Sequence, residues 1–283
     1  MISVKNLHFR YAKDGDEAVA GIDFEVAPGE CFGFLGPNGA GKSTTIKLLT
    51  GQLPLQTGRV SILGHDLANP GVEYFEQIGV SFELPNVYDK FSVLENLEFY
   101  RRLYSGDTRK PQELLELVGL TDAADKRGSE CSRGMLQRLV FARALIPKPR
   151  VLFLDEPTGG LDPDIAQVIR RAIQHQIDDG VTVFLTTHNM YEADSLCDRV
   201  AFIHRGALAA VDTPHDLKLA LGERMVEVEV VEDGRSATRE LSLDDEADRE
   251  RLGRWLAAGR IVTMHTKEAT LEDAFVKLVG QRL

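Results

Sequence analysis

The stretch from Gly36 to Thr44, GPNGAGKST, has the residue types and spacing of a loop that holds phosphate. Its glycines let successive backbone N–H groups face an anion, and the helix that follows contributes the positive end of its dipole. Lys42 would reach the β- and γ-phosphates, and the Ser43 hydroxyl would be a ligand for Mg²⁺. The predicted phosphate-binding residues are Gly36, Pro37, Asn38, Gly39, Ala40, Gly41, Lys42, Ser43 and Thr44.

A second motif, VLFLDEPTGGLDP at 151–163, reads as a short buried strand that ends in two acids. An acid delivered to a phosphate site suits Mg²⁺, directly or through water, and we assign this role to Asp155. Glu156 would then be a general base that polarises an attacking water.

The third motif, GVTVFLTTHN at 180–189, is another apolar strand that closes on a polar residue, His188. These strands alternate with helical patterns such as DIAQVIRRAIQHQI, which predicts a parallel α/β sheet. Ligands bind at the carboxyl ends of such strands, so we expect His188 to share a site with the phosphate loop and the acids.

Between the phosphate loop and the acidic strand, residues from about 100 to 147 read mostly as helix. Ser132 is a plausible N-cap for the periodic run MLQRLVFARAL. The helix that it begins offers a second N-terminus able to face an anion, and helix capping alone would also explain the residue. Ser92, with Glu95 three positions later, predicts a capping box upstream.

Composition excludes several classes of protein. The chain has 283 residues, 43% of them hydrophobic, and a formal net charge of −11, which repels a phosphate backbone. Nucleic acid is therefore not an expected partner. No apolar run approaches the roughly 18 residues of a membrane helix, and no signal peptide is evident, so we expect a cytoplasmic protein. Cys31, Cys131 and Cys197 lack metal-ligand spacing and are expected to be small buried or half-buried thiols.

In this order and at these separations, GPNGAGKST, CSRGMLQR, VLFLDEPTGGLDP and TTH resemble the nucleotide-binding subunit of an ATP-binding cassette (ABC) transporter, over residues 1–215. The resemblance implies that Tyr11 stacks on adenine and that His188 senses the γ-phosphate. Ser132 and Gly134 match the signature loop that contacts ATP held by the other subunit. Asp162 matches the loop acid that links the two sites.

The resemblance further implies partners. Two cassettes sandwich two ATP molecules, and nothing in this chain duplicates the phosphate loop, so the second cassette comes from another polypeptide. A homodimer is favoured over a related partner. A separate membrane permease would be driven, with this chain at the inner face of the membrane. The tail near LEDAF resembles the prokaryotic drug, sodium and polysaccharide export class.

The signature loop departs from the family pattern. The usual pentad is Leu-Ser-Gly-Gly-Gln, whereas this chain has Cys131, Ser132, Arg133, Gly134 and Met135. The flanking QRLVFARAL keeps the register. Arg133 adds a cation near the expected phosphates, where it either supports binding or is a surface arginine.

Glu83 in GVSFELPNVYD stands where the family has a glutamine that reaches Mg²⁺ and lines the groove for the membrane partner. A carboxylate there keeps the oxygen and adds negative charge beside Asp155 and Glu156. Either Glu83 contacts Mg²⁺ or the loop has lost that contact. Three apolar residues follow Glu83 and could either bind a helix of the permease or pack internally: Val87, Tyr88 and Phe91.

The predicted fold class is α/β: a P-loop NTPase core with a parallel sheet, an antiparallel β subdomain, a helical subdomain and a small C-terminal α+β appendage. We expect the ATPase domain at 1–218, its helical subdomain at about 84–147, and the appendage at 219–283. The appendage should contain a hairpin turning at Asp233-Gly234, a helix near Trp255, the strand RIVTMHT, and a last helix capped by Thr270.

Two other functions compete with transport. A soluble cassette ATPase acting on DNA repair or ribosomes would carry coiled-coil or zinc insertions, or two cassettes in one chain, and this sequence has neither. A phosphoryl-transfer kinase would leave DEPTGGLDP and SRGMLQR without a role.

Overall fold

The computed structural model describes residues 1–221, 224–232, 235–267 and 269–280. The chain divides into two compact units, Met1–Val211 and Asp212–Leu283. The predicted hairpin turn at Asp233-Gly234 lies outside the described residues.

The first unit contains two sheets built from ten strands within residues 1–212, all of which are described, and the last strand ends one residue beyond the unit. The strands are β1 (Ile2–Phe9), β2 (Val19–Val26), β3 (Cys31–Leu35), β4 (Thr57–Ile62), β5 (His65–Asp66), β6 (Ile78–Ser81), β7 (Val151–Asp155), β8 (Thr182–Thr187), β9 (Arg199–His204) and β10 (Ala207–Asp212). One sheet has the order β2-β1-β4-β5 with antiparallel pairs. The other has the order β10-β9-β3-β8-β7-β6, in which β9, β3, β8, β7 and β6 run parallel.

The helices of this unit follow the strands as in other α/β folds. They are α1 (Lys42–Leu49), α2 (Val72–Phe75), α3 (Val93–Arg101), α4 (Pro111–Leu117), α5 (Arg133–Ala144), α6 (Pro163–Asp178) and α7 (Met190–Leu196). The predicted parallel sheet, antiparallel subdomain and helical segment are therefore all present.

A cluster of phenylalanines joins the two sheets. The ring of Phe24 on β2 stacks on that of Phe32 on β3, with centroids 5.5 Å apart, and lies 5.8 Å from that of Phe184 on β8. Phe34 lies 5.4 Å from Phe184. Burying such a ring contributes about 1.5–3 kcal/mol, and each ring pair adds about 0.5–1.5 kcal/mol. This core fixes β3, which leads into the phosphate loop, against the strand that carries His188 at its end.

The segment between β6 and β7 contains α3, α4 and α5, which pack on one another. The predicted capping box at the start of α3 is confirmed: Ser92 Oγ accepts from Glu95 N, and the Glu95 carboxylate accepts from Ser92 N. Less of the segment is helical than predicted. Gly119 takes φ +62° and ends α4, and two short 3₁₀ turns, Thr121–Ala123 and Gly128–Glu130, precede α5.

The second unit is an α+β module. It contains α8 (Pro214–Leu221), β11 (Met225–Glu232), β12 (Arg235–Ser242), α9 (Glu246–Ala257), β13 (Ile261–Lys267) and α10 (Leu271–Val279). The strands form an antiparallel sheet in the order β12-β11-β13. Trp255 on α9 is buried against β11 valines and Leu241, so it is a core residue as its size suggests. The predicted cap of α10 is present, with Thr270 Oγ1 accepting from Asp273 N.

Two of the cysteines meet in the interior. Cys31 Sγ and Cys197 Sγ lie 3.9 Å apart, both buried, whereas Cys131 is half-buried. The Cys31 contact and burial both raise the pKa of the Cys197 thiol, which keeps it protonated. Among the described residues, no helix combines the length and apolar character that crossing a lipid bilayer requires.

Candidate active site

The phosphate loop connects the end of β3 to the start of α1, as its sequence predicts. Gly41 precedes α1 with φ +111°, and a Cβ there would lie 2.3 Å from Ala18 O. A Cβ on Gly36 would lie 2.3 Å from Ile203 O. Both positions require glycine, since the neighbouring backbone leaves no room for a side chain. The loop is thereby held against two neighbouring segments of the same unit.

Lys42, the first residue of α1, folds back over the loop. Its Nζ donates to Gly36 O at 2.7 Å and Pro37 O at 3.3 Å, and lies 3.2 Å from Glu156 Oε1. The contact with Glu156 is an ion pair rather than a directional hydrogen bond. Within residues 1–211, Oε1 of Glu156 is buried without a hydrogen-bond donor. It remains an acceptor that an incoming water molecule can use.

Glu156 follows β7 in a left-handed conformation, with φ +48°. Such a conformation is uncommon for a residue with a side chain and costs about 1–3 kcal/mol. Its Oε2 lies 2.8 Å from His188 Nδ1 and accepts from the His188 backbone N–H at 3.3 Å. The buried carboxylate thus lies between Lys42 and the half-exposed ring of His188.

Asp155, the last residue of β7, lies beside the loop on the same strand edge. Its Oδ1 accepts from Ser43 Oγ at 3.2 Å and from Thr186 Oγ1 at 2.5 Å. Hydroxyl and carboxylate oxygens are the ligands that Mg²⁺ prefers, so Ser43 and Asp155 fit an ion bound together with phosphate oxygens. Among the described residues, no group of three or more His, Cys, Asp or Glu side chains is arranged to hold a metal.

A cavity of about 250 Å³ covers the phosphate loop. Its lining includes Tyr11, Lys42, Ser43, Glu83 and Glu156, so the structure brings together residues predicted from four separate segments. Tyr11 OH lies 3.1 Å from Thr44 Oγ1, and 63% of the residue is exposed. An exposed ring at the rim of a phosphate site can stack on a base. Glu83 is exposed in the loop after β6.

The signature-loop residues and Asp162 lie apart from this cavity. Ser132 caps α5, its Oγ accepting from Met135 N at 3.3 Å, as predicted. Asp162 occupies the N-cap position of α6 and is exposed. In residues 1–211, all described, the cavity lining contains none of Ser132, Arg133, Gly134, Met135 or Asp162.

Two residues of the site escaped the sequence reasoning. Thr186 lies directly opposite Asp155 in the β7–β8 pairing, which sequence could reveal only once the strand register was known. Glu192, four residues after His188, is fully buried on α7 and accepts from Thr158 Oγ1 at 2.8 Å. Burial raises the pKa of the Glu192 carboxyl, while the hydrogen bond from Thr158 opposes that shift.

Comparison with known proteins places the chain in a family. The ABC transporter family matches residues 19–159. The fluoroquinolones export ATP-binding protein of Mycobacterium tuberculosis is 47% identical over 284 residues, which span 100% of this chain and 94% of that protein. Nod factor export ATP-binding protein I of a Rhizobium species is 36% identical over 287 residues, 95% of this chain and 94% of that one. A dimeric post-hydrolysis ATP-binding cassette bound to ADP and Pi superposes with TM-score 0.69 at 24% identity, covering 75% of this chain and 98% of that chain.

A glycine-rich phosphate loop, with an acid pair and a histidine at the ends of neighbouring parallel strands, defines a P-loop nucleoside triphosphatase. The similar proteins show to which family of P-loop nucleoside triphosphatases the chain belongs. The chain belongs to the ABC transporter family, as one of its ATP-binding subunits, and it is an ATPase.

Proposed function

We propose that this chain hydrolyses ATP to drive a separate membrane permease that exports its substrate. The observation that carries the proposal is the convergence of Lys42, Glu156 and His188 on one phosphate loop, with ion-pair and hydrogen-bond distances of 2.8–3.2 Å. The names of the relatives at 47% and 36% identity, both export ATP-binding proteins, support the direction of transport.

The roles of the side chains follow from their positions. Backbone N–H groups of residues 36–44 and the N-terminus of α1 would hold the β- and γ-phosphates, with Lys42 as their cation. Mg²⁺, held by Ser43, Asp155 and the phosphate oxygens, would neutralise charge that develops in the transition state, and Glu83 would reach it from the facing loop. Tyr11 would stack on the adenine.

Glu156 would accept the proton of the attacking water, because its Oε1 is buried and lacks a hydrogen-bond donor in residues 1–211. His188, bonded to the other carboxylate oxygen, would keep Glu156 oriented and contact the γ-phosphate as hydrolysis proceeds. Once Lys42 binds phosphate, its ion pair with Glu156 would break. Nucleotide binding would therefore release the Glu156 carboxylate to act as a base.

We infer that the catalytic unit is a head-to-tail homodimer. Ser132, Arg133, Gly134 and Met135, together with Asp162, would face the ATP of the second subunit, which accounts for their absence from the lining of the cavity over their own phosphate loop. The likeness to a dimeric cassette bound to ADP and Pi supports this arrangement. A closed two-fold assembly is the simplest way for a chain with one phosphate loop to complete two sites.

The permease would bind the groove between the parallel sheet and the helical segment. That groove has a volume of about 670 Å³ and is lined by apolar side chains such as Phe75, Phe82 and Leu84, together with Arg143. Tyr88 and Phe91 pack on Phe99 beside it, so these aromatics are partly internal, and Tyr88 is 44% exposed. The chain would thus lie at the cytoplasmic face of the membrane.

Affinity purification tests this proposal. The chain, tagged in its native cell, is purified from gently solubilised membranes, and the partners are identified by mass spectrometry. A polytopic membrane protein that co-purifies and raises ATP hydrolysis supports the transporter function and gives access to the substrate. Recovery of ribosomes or DNA-repair proteins in place of a membrane protein would instead indicate a soluble cassette ATPase.

A further inference from the structure

The side chain of Arg133 contacts the loop that follows Glu156 in its own chain. Arg133 Nη2 donates to Gly159 O at 3.3 Å. The guanidinium also lies flat against Gly160, where a Cβ would come 3.1 Å from Nη2 and 3.2 Å from Cζ. Gly160 has φ +65°, a backbone conformation that favours glycine, and a side chain there would also push the Arg133 guanidinium aside.

Gly159 is in turn bonded to Glu156. Its backbone N–H donates to Glu156 O at 3.0 Å, closing a turn directly behind the left-handed residue. On the other side, Glu156 N donates to Thr186 O on β8 at 2.9 Å. The unusual backbone of Glu156 is therefore held from both directions, and Arg133 bonds to the carbonyl of the same turn.

The backbone of Arg133 belongs to a capped helix. It is the first residue of α5, whose N-terminus Ser132 caps. The next residue, Gly134, lies close to α6, since a Cβ there would meet Ile165 Cγ2 at 3.2 Å. The usual family pentad has glycine at the position of Arg133, and a glycine has no side chain to make this contact.

We propose that Arg133 is a positioning residue for Glu156, acting through Gly159. It thereby connects the signature loop to the turn that follows Glu156 in the same subunit. The inference rests on the proposed function, because it assigns Glu156 the role of general base. One guanidinium then connects the loop that faces the partner's ATP to the base that acts on this subunit's own ATP.

The test compares Arg133→Ala, Arg133→Lys and the control Arg170→Ala, a half-buried arginine of α6 that bonds to Gln167. Since misplacing a catalytic group by about 1 Å costs up to about 100-fold, and Arg133 acts through the backbone, we expect Arg133→Ala to lower kcat about 5- to 20-fold. KM for ATP should not change. Arg133→Lys, which can still donate to Gly159 O, should recover much of kcat, and Arg170→Ala should match the wild type.

A second readout does not depend on activity. Amide hydrogen exchange at 156–161 should be faster in Arg133→Ala than in the wild type, and unchanged in Arg170→Ala. A wild-type kcat and exchange rate in Arg133→Ala would overturn the inference. So would a raised KM at unchanged kcat, which would mean that Arg133 binds the partner's phosphate. A wild-type chain that hydrolyses no ATP with or without its permease would instead overturn the proposed function, and the inference with it.

Discussion

The ammonium group of Lys42 and the carboxylate of Glu156 form a buried ion pair, with Nζ 3.2 Å from Oε1 and side chains 6% and 7% exposed. The pair joins the phosphate loop to the end of β7. Each group compensates a charge that would otherwise be costly to bury. In the proposed function the site therefore couples two roles, since the cation assigned to phosphate is also the one that neutralises the proposed base.

Removing the cation alone should destabilise the protein. Lys42→Met keeps the length of the side chain but leaves Oε1 of the buried Glu156 carboxylate without the lysine cation, which should lower the free energy of unfolding by about 3 kcal/mol at pH 8. Adding Glu156→Gln should restore most of that loss, because the uncompensated charge is gone. Urea unfolding without nucleotide measures both. A double variant no more stable than Lys42→Met would contradict the coupling.

Glu156→Gln alone separates binding from hydrolysis. The amide keeps the shape of the side chain but cannot take a proton from water, so kcat should fall by about 100-fold or more while ATP still binds. With Mg-ATP this variant should accumulate as the closed dimer and double its mass in light scattering, whereas Mg-ADP should leave it unchanged. A monomer that holds ATP would argue against self-pairing.

Local patterns predicted most of the elements that build the site. The phosphate loop, the strands ending at Asp155 and Thr187, and the caps at Ser92 and Ser132 all lie where short-range spacing indicated. Such features are predictable because their causes are local: a positive φ at glycine, a hydroxyl that caps a helix, or a run of buried apolar residues.

Contacts between distant segments could not be predicted. Cys31 and Cys197 lie 166 positions apart in sequence, yet their sulfurs approach to 3.9 Å because β3 and the end of α7 are neighbours. The register that sets Asp155 opposite Thr186, and the turn that brings Gly159 to Arg133, likewise depend on how whole elements pack. The extent of helix before α5 was overestimated, since Gly119 ends α4 and the chain continues in short turns.

A Mg²⁺ titration of ATP hydrolysis tests whether Glu83 contacts the metal ion. It lines the phosphate cavity with Ser43 and Glu156, where a carboxylate would attract Mg²⁺ more strongly than an amide. Glu83→Gln should therefore raise the Mg²⁺ concentration that half-saturates hydrolysis about 2- to 5-fold, an effect the size of one exposed charge contact. Glu113→Gln, an exposed acid of α4, is the control. An unchanged titration in Glu83→Gln would remove the metal role.

Glu192 should make stability depend on pH. Burial raises the pKa of its carboxyl, and the charge of Glu156 adds to the shift, although the hydrogen bond from Thr158 and the charge of Arg170 oppose it. The unfolded chain loses this proton at the ordinary glutamate pKa, whereas the folded chain keeps it to higher pH. Between those two pKa values the folded state loses stability as pH rises, by about 1.4 kcal/mol for each pKa unit of separation.

Glu192→Gln should abolish that loss, because an amide does not ionise while its oxygen can still accept from Thr158 Oγ1. The stability of the variant minus that of the wild type should be larger at pH 8 than at pH 5, as measured by thermal unfolding at both pH values. Glu113→Gln should give the same difference at either pH, since its carboxyl is exposed. A stability gap for Glu192→Gln that is equal at both pH values, or larger at pH 5, would mean that the buried carboxyl ionises in the folded protein as readily as in the unfolded chain.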